Sequence, residues 1–238
     1  AVFDLYKKDG TKIASGLTTD AKGQIKVNDL KPGDYYFVET AAPAGYELND
    51  SKLNFTVELQ TTAKVATVSA TNAEKTGSVV LNKTDSDTGK ALSGAVFDLY
   101  KKDGTKIASG LMTDAKGQIK VNDLKPGDYY FVETAAPAGY ELNDSKLNFT
   151  VELQTTAKVA TVSATNAEKT GSVVLNKTDS DTGKTLAGAV FDLYKKDGTK
   201  VASGLTTDAK GQIKVNDLKP SDYYFVETAA PAGYELND

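Results

Sequence analysis

Three polar residues in the middle of the chain stand where an apolar residue would continue the pattern. Successive side chains of a β-strand point to opposite faces. Val79, Leu81 and Lys83 therefore share one face, as do Tyr129, Phe131 and Glu133, and likewise Ala160, Val162, Ala164 and Asn166. A single such residue reads as a strand end reaching solvent. Three together carry more weight, because a buried lysine or glutamate is costly unless it is paired or gives up its charge. The chain offers few other groups for chemistry. It contains no cysteine and no histidine. Disulfides, thiol nucleophiles and the usual zinc ligands are thereby removed together. Asp85-Ser86-Asp87-Thr88-Gly89 has the look of a calcium loop, but its spacing fails the EF-hand pattern. It reads as a turn, so no metal and no cofactor are expected.

The elements that must position these residues come in repeats. The string AVFDLYKKDGTK begins at Ala1, Ala95 and Ala189, a period of 94 residues. That is about the size of one small domain, and too long for a solenoid unit that must stack to fold. The polar stretch Ala73–Gly77, recurring at Ala167–Gly171, reads as the linker. Residues 1–74 are then a repeat lacking its first strand, 75–168 a complete repeat, and 169–238 a repeat lacking its last strands. Neighbouring copies in a longer array are expected to complete the two outer ones.

Within the complete repeat the signals are short strands and turns. Strands are expected over Ser78–Thr84, Ala95–Lys101, Ala108–Thr113, Gln118–Val121, Tyr129–Thr134, Leu147–Leu153 and Val159–Asn166. Asp103-Gly104 marks a hairpin. No window has a helical period, so the expected fold is all-β, with a two-sheet β-sandwich in each repeat.

The segment VVLNKTDSDTGKALSGAVFDLY resembles the opening of CnaB-type domains of Gram-positive surface proteins. FVETAAPAGYELN is similar to the E-box of those domains and of sortase-assembled pilins, and VSATN to their closing strand. The resemblance covers the whole repeat and implies a prealbumin-like, inverse Ig-like sandwich. It also implies that the opening Lys and the closing Asn join in an intramolecular isopeptide bond, promoted by the E-box Glu. Carried onto this sequence, the set is Lys83, Asn166 and Glu133. The first repeat keeps Glu39 and Asn72, and the third keeps Lys177 and Glu227. Lysine attacks only as the neutral amine, and burial can lower a lysine pKa to about 5–6. A buried carboxyl in its neutral form can polarise the carboxamide and shuttle protons. The fold supplies the effective concentration that a free amide exchange lacks. This is one self-modification per domain, not the turnover of an enzyme. Asp98 lies out of register with Phe97 and Leu99 and is not assigned to the crosslink.

The resemblance implies an extracellular, cell-wall-anchored stalk whose immediate partners are neighbouring repeats, with any host ligand held by a distal domain. Two alternatives are the shaft of a sortase-polymerised pilus, and repeats that themselves bind a host ligand. Tyr129, Tyr130 and Tyr140 read as packing rather than as a ligand patch. The net charge of −4 and the lysines spread through every copy give no basic patch for nucleic acid or a membrane surface. No apolar run approaches the roughly 20 residues of a membrane span.

Overall fold

The computed structural model describes residues 1–59, 64–153 and 158–236. Sixteen strands and no helix occur among them. They are β1 (Val2–Lys7), β2 (Lys12–Thr18), β3 (Gly33–Ala41), β4 (Leu53–Val57), β5 (Gly77–Asp85), β6 (Val96–Lys101), β7 (Lys106–Met112) and β8 (Gln118–Leu124) in the first half. The second half adds β9 (Gly127–Ala135), β10 (Leu147–Val151), β11 (Val159–Asn166), β12 (Gly171–Asn176), β13 (Val190–Lys195), β14 (Lys200–Thr206), β15 (Gln212–Leu218) and β16 (Tyr223–Ala229). The chain divides into two units, Ala1–Thr84 with Ala91–Ala135 and Asp144–Ala164, and Asp85–Lys90 with Ala136–Asn143 and Thr165–Asp238.

In the first unit one sheet runs β2-β1-β3-β4, a second β10-β9-β6-β7 and a third β11-β5-β8. The second and third face one another across a common core of Val79, Leu81, Phe97, Leu99, Phe131, Val151, Val162 and Ala164. Phe97 and Phe131 meet edge to face at its centre, with ring centroids 6.2 Å apart. This is the two-sheet all-β sandwich that the alternation of apolar residues predicts. In the second unit the sheets are β12-β15 and β14-β13-β16.

The hairpin at Asp103-Gly104 closes as its turn chemistry dictates. Gly104 takes a φ of +90°, which a side chain would oppose. The Asp103 carboxylate accepts the Thr105 amide at 2.8 Å. Asp98 does lie on the outer face, yet it is only 7% exposed. A bulge between β6 and β7 lets its carboxylate accept Gly110 N at 3.0 Å and Lys106 Nζ at 2.6 Å. The third repeat builds the same clamp at Asp192, and the first at Asp4.

Several strand ends differ from the sequence expectation. β8 continues through Leu124 because its pairing with β5 resumes after an irregularity, where Asp123 takes a positive φ of 58°. Asn122 and Asp123 give no apolar signal, so the extension is invisible in the pattern. β7 starts two residues early, at Lys106, because the tight turn brings Tyr100 directly opposite it. β10 stops at Val151, where its partner β9 begins at Gly127.

One comparison within the chain separates propensity from context. Gln118–Leu124 and Gln212–Leu218 are strands, paired to β5 and β12. The identical heptapeptide at 24–30 is not a strand. No counterpart of β5 lies beside it among the described residues, and an unpaired strand leaves its backbone groups unsatisfied.

Candidate functional site

The three polar residues singled out by register all point inward. Along β5 the buried positions are Val79, Leu81, Lys83 and Asp85. Along β11 they are Val162, Ala164 and Asn166, and on β9 Glu133 is buried beyond Phe131. Lys83 is 1% exposed, and Glu133 and Asn166 are each 2% exposed. The two strands that carry Lys83 and Asn166 are neighbours in one sheet, with Glu133 on the facing sheet.

Lys83 is held from both sides by its backbone. Its amide donates to Gly117 O at 2.7 Å, and its carbonyl accepts from Leu92 N at 2.9 Å. The Gly117 contact has no room for a side chain. A Cβ there would lie 2.5 Å from the Lys83 carbonyl oxygen, and the backbone adopts a φ of +71°. Gly211 stands in the same relation to Lys177 O, at 2.6 Å. In a sequence, glycines of this kind read as turn formers. Their second duty shows once two strands lie side by side.

The Lys83 ammonium nitrogen sits 3.7 Å from Glu133 Oε1. Burial pushes the Lys83 amine below its usual range, against the opposing pull of the Glu133 carboxylate. In the third repeat Lys177 Nζ donates to Glu227 Oε2 at 2.9 Å, and Lys177 is more open, its side chain 17% exposed. In the first repeat Asn72 Nδ2 donates to Glu39 Oε2 at 2.6 Å. The same carboxylate oxygen accepts the Asn49 amide at 2.9 Å. Each outer repeat thus displays one half of the expected constellation: amine with carboxyl in one, carboxamide with carboxyl in the other.

The carboxamides have a further partner that sequence reasoning did not find. Asn166 Nδ2 donates to the Glu141 carbonyl at 2.9 Å, and Asn72 Nδ2 to the Glu47 carbonyl at 3.0 Å. Both carbonyls follow the Ala-Gly-Tyr turn, and a backbone acceptor leaves no mark in a sequence. Tyr129 and Tyr130 are buried, as the packing reading has them, with Tyr130 stacked on Tyr100. Tyr140 instead pairs its hydroxyl with Asp85. Asp85 serves the turn after β5, accepting the amides of Asp87 at 2.9 Å and Thr88 at 2.7 Å. No cluster of three or more metal-ligating side chains occurs among the described residues. No helix there is long and apolar enough to cross a membrane.

Three stretches of the chain, residues 1–74, 77–168 and 171–238, match the family described as SpaA, prealbumin-like fold domain. The collagen adhesin of Staphylococcus aureus is 30% identical over 146 residues, 58% of this chain and 12% of that protein. Serine-aspartate repeat-containing protein D of S. aureus strain Newman is 25% identical over 271 residues, 98% of this chain and 20% of that protein. The chain thus spans a fifth or less of the length of these two relatives. Among solved structures, the Bacillus anthracis TIE protein superposes with a TM-score of 0.56 at 29% identity. That match takes in all of this chain and 43% of the other.

Proposed function

From the premise that the chain belongs to the SpaA family of prealbumin-like fold domains, we propose that it forms structural stalk repeats of a surface adhesin. The complete repeat in this reading spans 75–168 and closes itself by an isopeptide bond between Lys83 and Asn166. Residues 1–74 and 169–238 are copies of the same unit. The surface role follows from the S. aureus adhesin and surface-type relatives, and anchoring to a Gram-positive cell wall is part of the same proposal.

The observation that carries the crosslink is the burial of Lys83 and Glu133, each side chain 1% exposed and 3.7 Å apart. An ion pair so placed is poor value for stability alone, because desolvation offsets most of the attraction. It is well suited to a reaction. The neutral Lys83 amine attacks Cγ of Asn166. The bond from Cγ to Nδ2 breaks, and one proton passes from Nζ to Nδ2 through Glu133. Ammonia leaves, and an amide joins the two strands. Atoms balance with no outside reagent. The lowered basicity of buried Lys83 favours the nucleophilic form. Glu39 and Glu227 hold the corresponding place in the outer copies, beside Asn72 and Lys177.

Intact mass spectrometry of the folded chain tests the reading. The expected mass is lower than that of the sequence by one ammonia, and the full mass is restored in Glu133→Ala. A folded wild-type chain at its full sequence mass would sink the proposal.

A further inference from the structure

The E-box contributes Glu133 to the proposed reaction, but the motif runs on through Pro137-Ala138-Gly139-Tyr140-Glu141, and these residues build a structure of their own. The Tyr140 amide donates to Pro137 O at 3.1 Å, and Gly139 takes a φ of +86° to turn the chain. The turn is then stitched to the exit of β11. Glu141 N donates to Ala167 O, and Lys169 N to Gly139 O, both at 2.8 Å. This brings the Glu141 carbonyl to 2.9 Å from Asn166 Nδ2.

The other end of the turn is pinned by a side chain. The Tyr140 hydroxyl pairs with the buried Asp85 carboxylate. The residue after Asp85 reaches back to the same asparagine, Ser86 N donating to Asn166 O at 2.9 Å. Hydrogen bonds from its own turn, that of the Thr88 amide foremost, bring the Asp85 carboxyl down to about 2. It is therefore an ionised acceptor throughout the physiological range. The third repeat makes the equivalent pair between Tyr234 and Asp179. The first repeat keeps the carbonyl contact, Asn72 Nδ2 to Glu47 O at 3.0 Å. The pin and the cradle thus recur separately in the two outer copies and meet in the middle one.

We propose that the Pro137–Glu141 turn is a cradle that orients the acceptor carboxamide, and that Tyr140, clipped to Asp85, is the positioning residue that holds it in place. The inference rests on the crosslinking reading above. A carboxamide can exchange its oxygen and nitrogen by rotating about one bond. A carbonyl facing Nδ2 accepts from it, whereas one facing the carboxamide oxygen would be repelled. The Glu141 carbonyl therefore fixes which atom lies toward the turn and is ready to leave as ammonia. Tyr140 touches no reacting atom and acts through that carbonyl. Small displacements matter here, since an error of about 1 Å in a near-attack geometry can cost about a hundredfold in rate.

The test follows ammonia loss by intact mass over time in the full chain, made by cell-free translation. Tyr140→Phe removes one hydroxyl and is expected to slow the loss between about tenfold and a hundredfold. Gly139→Ala is expected to give a similar delay. Open space surrounds a Cβ at this position, but the φ of +86° is strained with a side chain, so the turn and its carbonyl shift. In a Lys83→Ala background, which cannot crosslink, Tyr140→Phe is expected to lower the melting temperature by no more than about 8 °C, the cost of one hydrogen bond. Two results would overturn the assignment: wild-type rates in both variants, or a slowing matched by a large fall in that melting temperature. A wild-type chain that never loses ammonia overturns the crosslinking reading itself and is separable from either.

Discussion

At the residue scale, a lysine in an apolar core leaves a signature in pH. The Lys83 amine is held below its ordinary value of 10.5 by burial. Between that lowered value and 10.5 the unfolded chain binds more protons than the folded one, so stability rises with pH across this window. The cost of burying the charge is fully present below the lowered value. This is the reverse of a lysine stabilised by a partner, such as Lys106, whose amine is raised by its bond to Asp98. In an Asn166→Ala chain, which cannot crosslink, the melting temperature is expected to climb as alkaline pH approaches 10.5. Lys83→Met should flatten that climb, because it removes the titrating group and keeps the bulk. A slope unchanged by Lys83→Met in thermal melts at stepped pH would refute the account.

At the element scale, two contacts fix how the strands of a repeat meet. Gly117 presses its α-carbon against the Lys83 carbonyl, where a Cβ would come within 2.5 Å. Gly117→Ala is expected to cost about 1–3 kcal/mol from the strained φ alone, and to move β5 and its lysine. Denaturant titration reads the stability, and a slower loss of ammonia reads the displacement. The second contact is the Asp98 clamp over the bulge between β6 and β7, which holds an amide at 3.0 Å and an ammonium at 2.6 Å. Asp98→Ala leaves Gly110 N without its acceptor. The expected loss is about 1–3 kcal/mol, read as a lower denaturant midpoint with an unchanged slope. No change in crosslinking is expected, because the clamp lies on the outer face. An Asp98→Ala chain that folds but does not lose ammonia would show that the clamp has a second role.

At the scale of the whole molecule, the consequence of a Lys83–Asn166 bond is topological. β5 and β11 are the first and last strands of the repeat proposed over 75–168, so the bond encloses almost all of it. By the loop-entropy account of crosslinks, such a closure stabilises by roughly 4–5 kcal/mol. For a domain of this size that corresponds to roughly 20 °C or more in melting temperature. Lys83→Ala is therefore expected to lower the highest-temperature transition of the chain by that order in calorimetry, and to open the middle repeat to proteases. A fall of a degree or two would make the bond incidental to stability. A pull applied at the two ends of the repeat would also pass from β5 to β11 through the covalent link and leave the intervening strands unloaded, as a stalk in a surface protein requires.

The repeat, the all-β class and the inward aim of Lys83, Glu133 and Asn166 were legible in the sequence. A strand has a period of two, so three runs of alternating apolar residues suffice to say which face a polar residue joins. Register alone put Glu133 in the set, the resemblance of the E-box string gave it a role, and the burial pattern of β9 agrees with the register. What the sequence could not hold were relations between strands. The heptapeptide Gln-Ile-Lys-Val-Asn-Asp-Leu is a strand at 118–124 and 212–218 and not at 24–30, because strand formation depends on a neighbour to take up the backbone hydrogen bonds. Gly117 reads as a turn residue until β5 lies against it. The Glu141 carbonyl, an atom common to every residue, becomes a specific partner of Asn166 only when the turn after β9 is folded over the end of β11. Side-chain type and spacing are local quantities written along the chain. Backbone acceptors, close approaches and strand partners belong to pairs of segments far apart in it, and tertiary structure alone decides them.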